Sequence, residues 1–205
     1  AQAPAPLTKV QCVFFQRAWL LRPHYIFFPH WSWVVSDYIT REYRCVCFHM
    51  TDVPYGRGGS PLQNLILRGH KTTKLTALKM VSEMDAGPIY GKVDLSLDGN
   101  AQDIFERSAQ KVYQLIQEII CNEPTPTPQA GKTVNFDRRT PAESQIPEDM
   151  NVEQVYDYIR MLDAESYPHA FISYGQSKFS FTHVEWDGNG GLTACVHVTP
   201  HSNES

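Results

Sequence analysis

Three short runs in this 205-residue chain hold the side chains able to do chemistry. The first, Cys45-Val46-Cys47-Phe48-His49, is apolar until it ends in an imidazole. The second, Gly56-Arg57-Gly58-Gly59-Ser60-Pro61, is a glycine loop with one guanidinium. The third, Met84-Asp85-Ala86-Gly87-Pro88, sets a carboxylate in a turn that Gly and Pro enforce. A histidine at a strand end can take a proton or donate to a developing oxyanion, and an aspartate nearby can orient it. Cys45, Cys47 and His49 alternate along one strand and raise the question of a metal. Adjacent ligands on an extended strand diverge, and no second Cys/His cluster completes a tetrahedron, so no metal is expected. The glycine loop lacks both the Lys-Ser/Thr ending of a phosphate loop and the Gly-x-Gly-x-x-Gly dinucleotide spacing. It reads as a tight turn lining a substrate cleft.

The elements that must position these residues follow from hydrophobic pattern and punctuation. Residues 24–28 read as a buried strand closed by Pro29, and 31–40 as a short helix leading back to the strand that ends at His49. That strand is apolar on both faces, as a covered parallel strand would be. Ser60 and Pro61 are expected to start a helix carrying Leu62, Leu65 and Ile66, which Gly69 stops. Residues 72–81 and 89–97 read as strands, the second alternating at Val93, Leu95 and Leu97. Asn100 is expected to cap a long helix with Ile104, Phe105, Val112, Leu115, Ile116 and Ile119 on one stripe. Pro124, Pro126 and Pro128 predict a stiff connector, and 137–147 is polar and irregular. Asn151 caps a second helix with Val155, Tyr158, Ile159 and Leu162, and 171–199 reads as a small hairpin or meander turning at 187–191.

The expected organisation is therefore an irregular segment 1–23, a core 24–122, a linker 123–150, and a helix with a small β subdomain at 151–205. Within the first segment, 1–8 is Ala/Pro-rich and expected to be unstructured, and 10–21 is open between strand and helix. The fold class is α/β, a Rossmann-like parallel sheet flanked by helices with a C-terminal β appendage. Ligands of such sheets bind outside the strand ends, which is where His49 and Asp85 fall.

Composition narrows the class. A content of 42% hydrophobic and 20% charged residues suits a globular core. The net charge of −4 argues against a general nucleic-acid surface. No apolar run reaches the roughly 18 residues of a membrane span, and the N-terminus lacks signal-peptide order. Five cysteines without framework spacing predict reduced thiols and a cytoplasmic protein.

At HMTDVPYGRGGSPLQNLI followed by MDAGPIY, the chain resembles the 10-formyltetrahydrofolate-dependent formyltransferases. In that pattern His49 matches the catalytic histidine, 57–61 the loop, and Asp85-Ala86-Gly87-Pro88-Ile89 the aspartate motif. Given Asp85 at the matching place, His49 is weighted as catalytic rather than structural. FDRRTPAESQI and the segments around Ile159 and Tyr167 resemble the joint between catalytic and C-terminal domains in sugar-amine members. The resemblance implies formyl transfer from 10-formyltetrahydrofolate to a primary amine, most plausibly of a nucleotide sugar. Methionyl-tRNA formylation is the alternative, and an inactive folate- or protein-binding remnant a second. Against tRNA, the loop offers only Arg57, and the tail from Phe171 has one Lys and no Arg. The reading leaves room for a homodimer.

The resemblance also implies that Phe28, Pro29, His30 and Trp31, together with Ser82, Glu83, Met84 and Asp85, flank the folate. Arg57, Gly58 and Gly59 form the substrate loop. Where the family has the asparagine of Asn-x-His this chain has Cys47, so Asn64 on the facing helix is a candidate substitute oxyanion donor. Family members carry about two more strand-helix units before the first strand, and N-terminal truncation is expected.

Overall fold

The computed structural model describes residues 22–31, 35–165 and 167–200. The expectations for 1–8 and 10–21 lie outside the described residues, and so do residues 32–34 of the helix expected at 31–40. Four strands form the central sheet in the order β1 (Tyr25–Phe28), β2 (Arg44–His49), β4 (Thr72–Lys79), β5 (Ile89–Ser96). Three further strands, β7 (Phe171–Tyr174), β8 (Ser177–Trp186) and β9 (Leu192–Pro200), make an antiparallel meander turning at Asp187–Gly191. The α/β class holds, but the central sheet is mixed. β1 and β2 are parallel, whereas β2–β4 and β4–β5 are antiparallel. The nine residues between β4 and β5 hold no helix, too short a path for the crossover that a parallel pair needs.

Alternation along β2 sends successive side chains to opposite sheet faces. Val46 and Phe48 join the main core, while Cys45 and Cys47 join a second cluster with Ile26, Phe28, Val35, Ile39, Trp31 and Met80. The main core is closed by α3 (Ala101–Asn122), which lays Ile104, Val112, Leu115 and Ile119 on the sheet. Helices α2 (Pro61–Leu67) and α4 (Val152–Arg160) complete it with Leu62, Leu65, Ile66, Tyr158 and Ile159, and α1 (Asp37–Glu42) covers the second cluster through Ile39. The expected caps of α3 and α4 form as reciprocal boxes, Asn100 with Asp103 and Asn151 with Gln154. Ser60 does not cap α2. It sits in the left-handed region at φ 45°, and its hydroxyl accepts the Arg139 N–H at 3.0 Å instead.

The segment read as a linker, 123–150, is a strap fastened to the core. Thr127 and Ile89 exchange backbone hydrogen bonds of 2.7 and 2.9 Å. Further on, β6 (Val134–Phe136) pairs in parallel with β3 (Tyr55–Gly58). Phe136 is the physical reason: it is buried in the main core, edge-on to Tyr55 and capped by the Arg68 guanidinium 4.4 Å above its ring. Past the strap, Phe181 and Val184 of β8 pack on the same core, so the C-terminal meander is joined to it directly.

Candidate active site

The site is built where β2 ends. Thr76 on β4, register partner of His49, donates its hydroxyl to the Thr51 carbonyl at 2.7 Å. Thr51 in turn donates to the Gly56 carbonyl at 3.2 Å, which folds the 50–56 loop back over the strand end. The Nε2 of His49 lies 2.7 Å from that same carbonyl. A carbonyl only accepts, so Nε2 carries the hydrogen and donates. The other nitrogen, Nδ1, faces Asp85 Oδ2 at 3.5 Å. In the neutral ring Nδ1 holds a lone pair; once protonated it lies beside a carboxylate that stabilises the imidazolium. This is the geometry of a base with a charge partner.

Asp85 is held in an unusual conformation, φ +52°, the left-handed region that non-glycine residues rarely adopt. Its Oδ2 accepts the Gly58 N–H at 2.9 Å, which fixes the carboxylate in front of His49. The side chains of His49 and Asp85 are 9% and 14% exposed, covered but reachable. Neither of two surface concavities, of about 290 and 270 Å3, is lined by this pair. The second opens next to the loop, lined by Ser60, Arg138, Arg139 and Thr140. The pair is taken as the candidate centre on its geometry, because a base and its charge partner are defined by distance rather than by concavity.

The glycines of the loop are required by a close backbone approach. A side chain at Gly58 would sit 2.4 Å from the Phe136 carbonyl, and one at Gly59 would sit 2.4 Å from Arg138 Cα. These glycines let β6 and the residues after it lie directly on the loop backbone. Arg57 is engaged, with Nε and Nη2 donating to Gln129 Oε1 at 3.1 and 2.8 Å and Nη1 reaching Glu83 at 3.2 Å. Asn64 is not brought to the site. Its amide donates to the carbonyls of Gly59, Ser60 and Asp137, and its oxygen accepts from Arg68 at 2.7 Å. No capacity is left for an oxyanion, and its role is to knit loop, helix and strap together.

Cys47 precedes His49 by two residues and shares its sheet face. Burial, and behind it the Asp85 carboxylate, push its thiol up to about 12, so it stays neutral. The segment expected to flank a folate is divided. Phe28 is 3% exposed, a core residue at the end of β1 rather than a lining one, with Trp31 edge-on at 5.4 Å. Pro29 and His30 are exposed, the His30 ring edge-on to Phe105 of α3. The Trp31 indole N–H is buried and unpaired among the described residues. Ser82, Glu83 and Met84 form an exposed turn leading into Asp85, with Met84 66% exposed. Sequence reasoning missed Gln129 altogether; it follows a Pro-rich run, and its partners lie 42 to 72 residues away.

Comparisons with known proteins place the chain among relatives. Residues 141–199 match the family described as methionyl-tRNA formyltransferase, C-terminal domain. A solved structure, the methionyl-tRNA formyltransferase from Clostridium thermocellum, is 44% identical, superposes with a TM-score of 0.89, and is matched over 95% of this chain and 85% of its own. The methionyl-tRNA formyltransferase of Lactobacillus acidophilus is 28% identical over 144 residues, 67% of this chain but 45% of that protein. The chain thus spans less than half the length of that curated relative. A 4-N formyltransferase from Francisella tularensis, 17% identical with a TM-score of 0.64 over 91% of this chain and 83% of its own, shares the fold.

Proposed function

The chain belongs to the formyltransferase family, and from that premise we propose that it moves a formyl group from 10-formyltetrahydrofolate to the α-amine of an aminoacyl-tRNA of the methionyl type. The observation that carries the reading is the His49 imidazole, pinned through Nε2 to the Gly56 carbonyl with Nδ1 turned to Asp85. In the reaction the amine nitrogen bonds to the formyl carbon and the bond from that carbon to the folate nitrogen breaks. His49 Nδ1 takes the proton the amine must lose, Asp85 stabilises the resulting imidazolium, and the same proton is returned to the leaving nitrogen. Cys47, held neutral, offers the carbonyl oxygen only a weak S–H donor.

For the donor, the exposed 82–84 turn offers backbone amides and carbonyls, and the Trp31 N–H, unpaired among the described residues, is a donor that a ring nitrogen or carbonyl would satisfy. For the acceptor, the 44% identical relative favours tRNA over the nucleotide sugar that the sequence suggested. The scarcity of cations in the C-terminal meander does not weigh against this. Exposed Lys132 and Arg138 lie in the 123–150 segment instead, and Arg138 lines the concavity next to Gly59, where a phosphate of the acceptor would meet its guanidinium.

The test is to incubate the protein with 10-formyltetrahydrofolate and either methionyl-tRNA or a panel of amino-sugar nucleotides, and to identify the formylated product by mass. Formylmethionine released from tRNA supports the reading. A formylated sugar alone moves the acceptor to the other class. Folate binding without transfer to any amine leaves the inactive remnant, which the weak Cys47 donor would explain.

A further inference from the structure

Residues 127–136 cross both loops that carry the candidate chemistry. The strap is anchored at one end by the Thr127–Ile89 exchange, just after the Asp85 turn, and at the other by Val134 N–H to Pro54 and the β6–β3 pairing beside the glycine loop. Between these anchors Gln129 uses its whole amide. Its Nε2 donates to the carbonyls of Asp85 at 2.7 Å and Gly87 at 2.8 Å, and its Oε1 accepts twice from Arg57. Both hydrogens and both lone pairs are thereby satisfied.

We propose that Gln129 is a positioning residue for Asp85, holding the turn in the left-handed conformation that points the carboxylate at His49. Asp85 at φ +52° carries strain, and such a conformation persists only where its surroundings over-determine it. Two restraints meet there. Gly58 N–H holds the carboxylate, and Gln129 Nε2 holds the backbone carbonyl of the same residue. The Arg57 contacts fix the orientation of the Gln129 amide, so that its nitrogen rather than its oxygen meets the turn. A segment outside the strand-end motifs thus sets the geometry of the His49–Asp85 pair.

This inference rests on the formyl-transfer reading for its kinetic arm but not for its spectroscopic one. Two variants separate the roles. Gln129→Leu removes both sides of the clamp. Gln129→Glu keeps two acceptors for Arg57 but loses the N–H groups that reach Asp85 and Gly87. Turnover is measured in each, alone and combined with Asp85→Asn, and the His49 imidazole nitrogen signals are followed by NMR with His70 and His183 as internal references. The expected result is a fall in kcat of about 10- to 100-fold in both variants, the scale of a displaced catalytic group. Donor KM should change less than threefold, and the loss should largely vanish in the Asp85→Asn background, where there is no carboxylate to place. The His49 nitrogen signals should move in both variants while those of His70 and His183 stay. Three results each overturn the proposal: Gln129→Glu behaving as wild type, Gln129→Leu lowering only thermal stability, or equal losses with and without the Asp85 carboxylate. If wild type transfers formyl to no acceptor, the functional reading falls and the His49 signals still decide the positioning role.

Discussion

His49 answers to two partners that claim opposite ring nitrogens. The Gly56 carbonyl requires a hydrogen on Nε2, and that leaves Nδ1 as the nitrogen that can gain or lose a proton beside Asp85. Behind this pair sit two thiols whose ionisation burial opposes: Cys45 is raised to about 11 and Cys47 to about 12. In the unfolded chain a thiol ionises near pH 8.5. Below that pH both states are protonated and the thiols do not make stability pH-dependent. Above it the unfolded chain releases protons that the folded chain retains, so stability falls between about pH 9 and 12, by up to about 1.4 kcal/mol per pH unit for each thiol. Cys47→Ala should remove one thiol's share, so that its urea unfolding free energy declines less steeply than wild type from pH 8 to 10.5. Equal slopes would mean that Cys47 is solvated and not part of the covered strand end. That His49 and Asp85 meet was legible in the sequence, because strand ends and turn residues are local signals. Asn64 was misread, since an amide on a facing helix says nothing about which carbonyls surround it.

Among the elements, the strap matters more than its composition suggested. Three prolines and a polar run read as a connector, yet Phe136 anchors it with a ring buried between Tyr55 and the Arg68 guanidinium. Replacing Phe136 by Ala should cost about 3–5 kcal/mol, as for other buried aromatics. It should also loosen the 54–59 loop, whose glycines fit against the β6 backbone. Hydrogen exchange at the Gly58 and Gly59 amides, which bond Asp85 and the Phe136 carbonyl, reads this directly. Unchanged protection there would detach the strap from the site. The helices and their caps were legible because the Asn100 and Asn151 boxes are short-range patterns. The strand directions were not: β4 is buried along its middle whichever way it runs, and the apolar pattern carries no sign of direction.

Taken whole, the molecule places the His49–Asp85 pair at the strand ends of a mixed sheet and ties it down from three sides, by the 50–56 loop, the Asp85 turn and the strap. The family was legible because HMTDVPYGRGGSP and MDAGPIY together name a joint geometry. The acceptor was not, because the cations weighed for a phosphate, Arg57 of the loop and the single Lys of the C-terminal tail, do not by themselves name an amine. The central claim is that His49 acts in the chemical step. Its most direct test is single-turnover formyl transfer from bound 10-formyltetrahydrofolate, wild type beside His49→Ala, with donor affinity measured on the same samples. Donor affinity should stay unchanged within a few-fold while the transfer rate falls by about 10²–10⁴. A His49→Ala protein that transfers at the wild-type rate, or one whose loss is matched by its loss of donor binding, would contradict it.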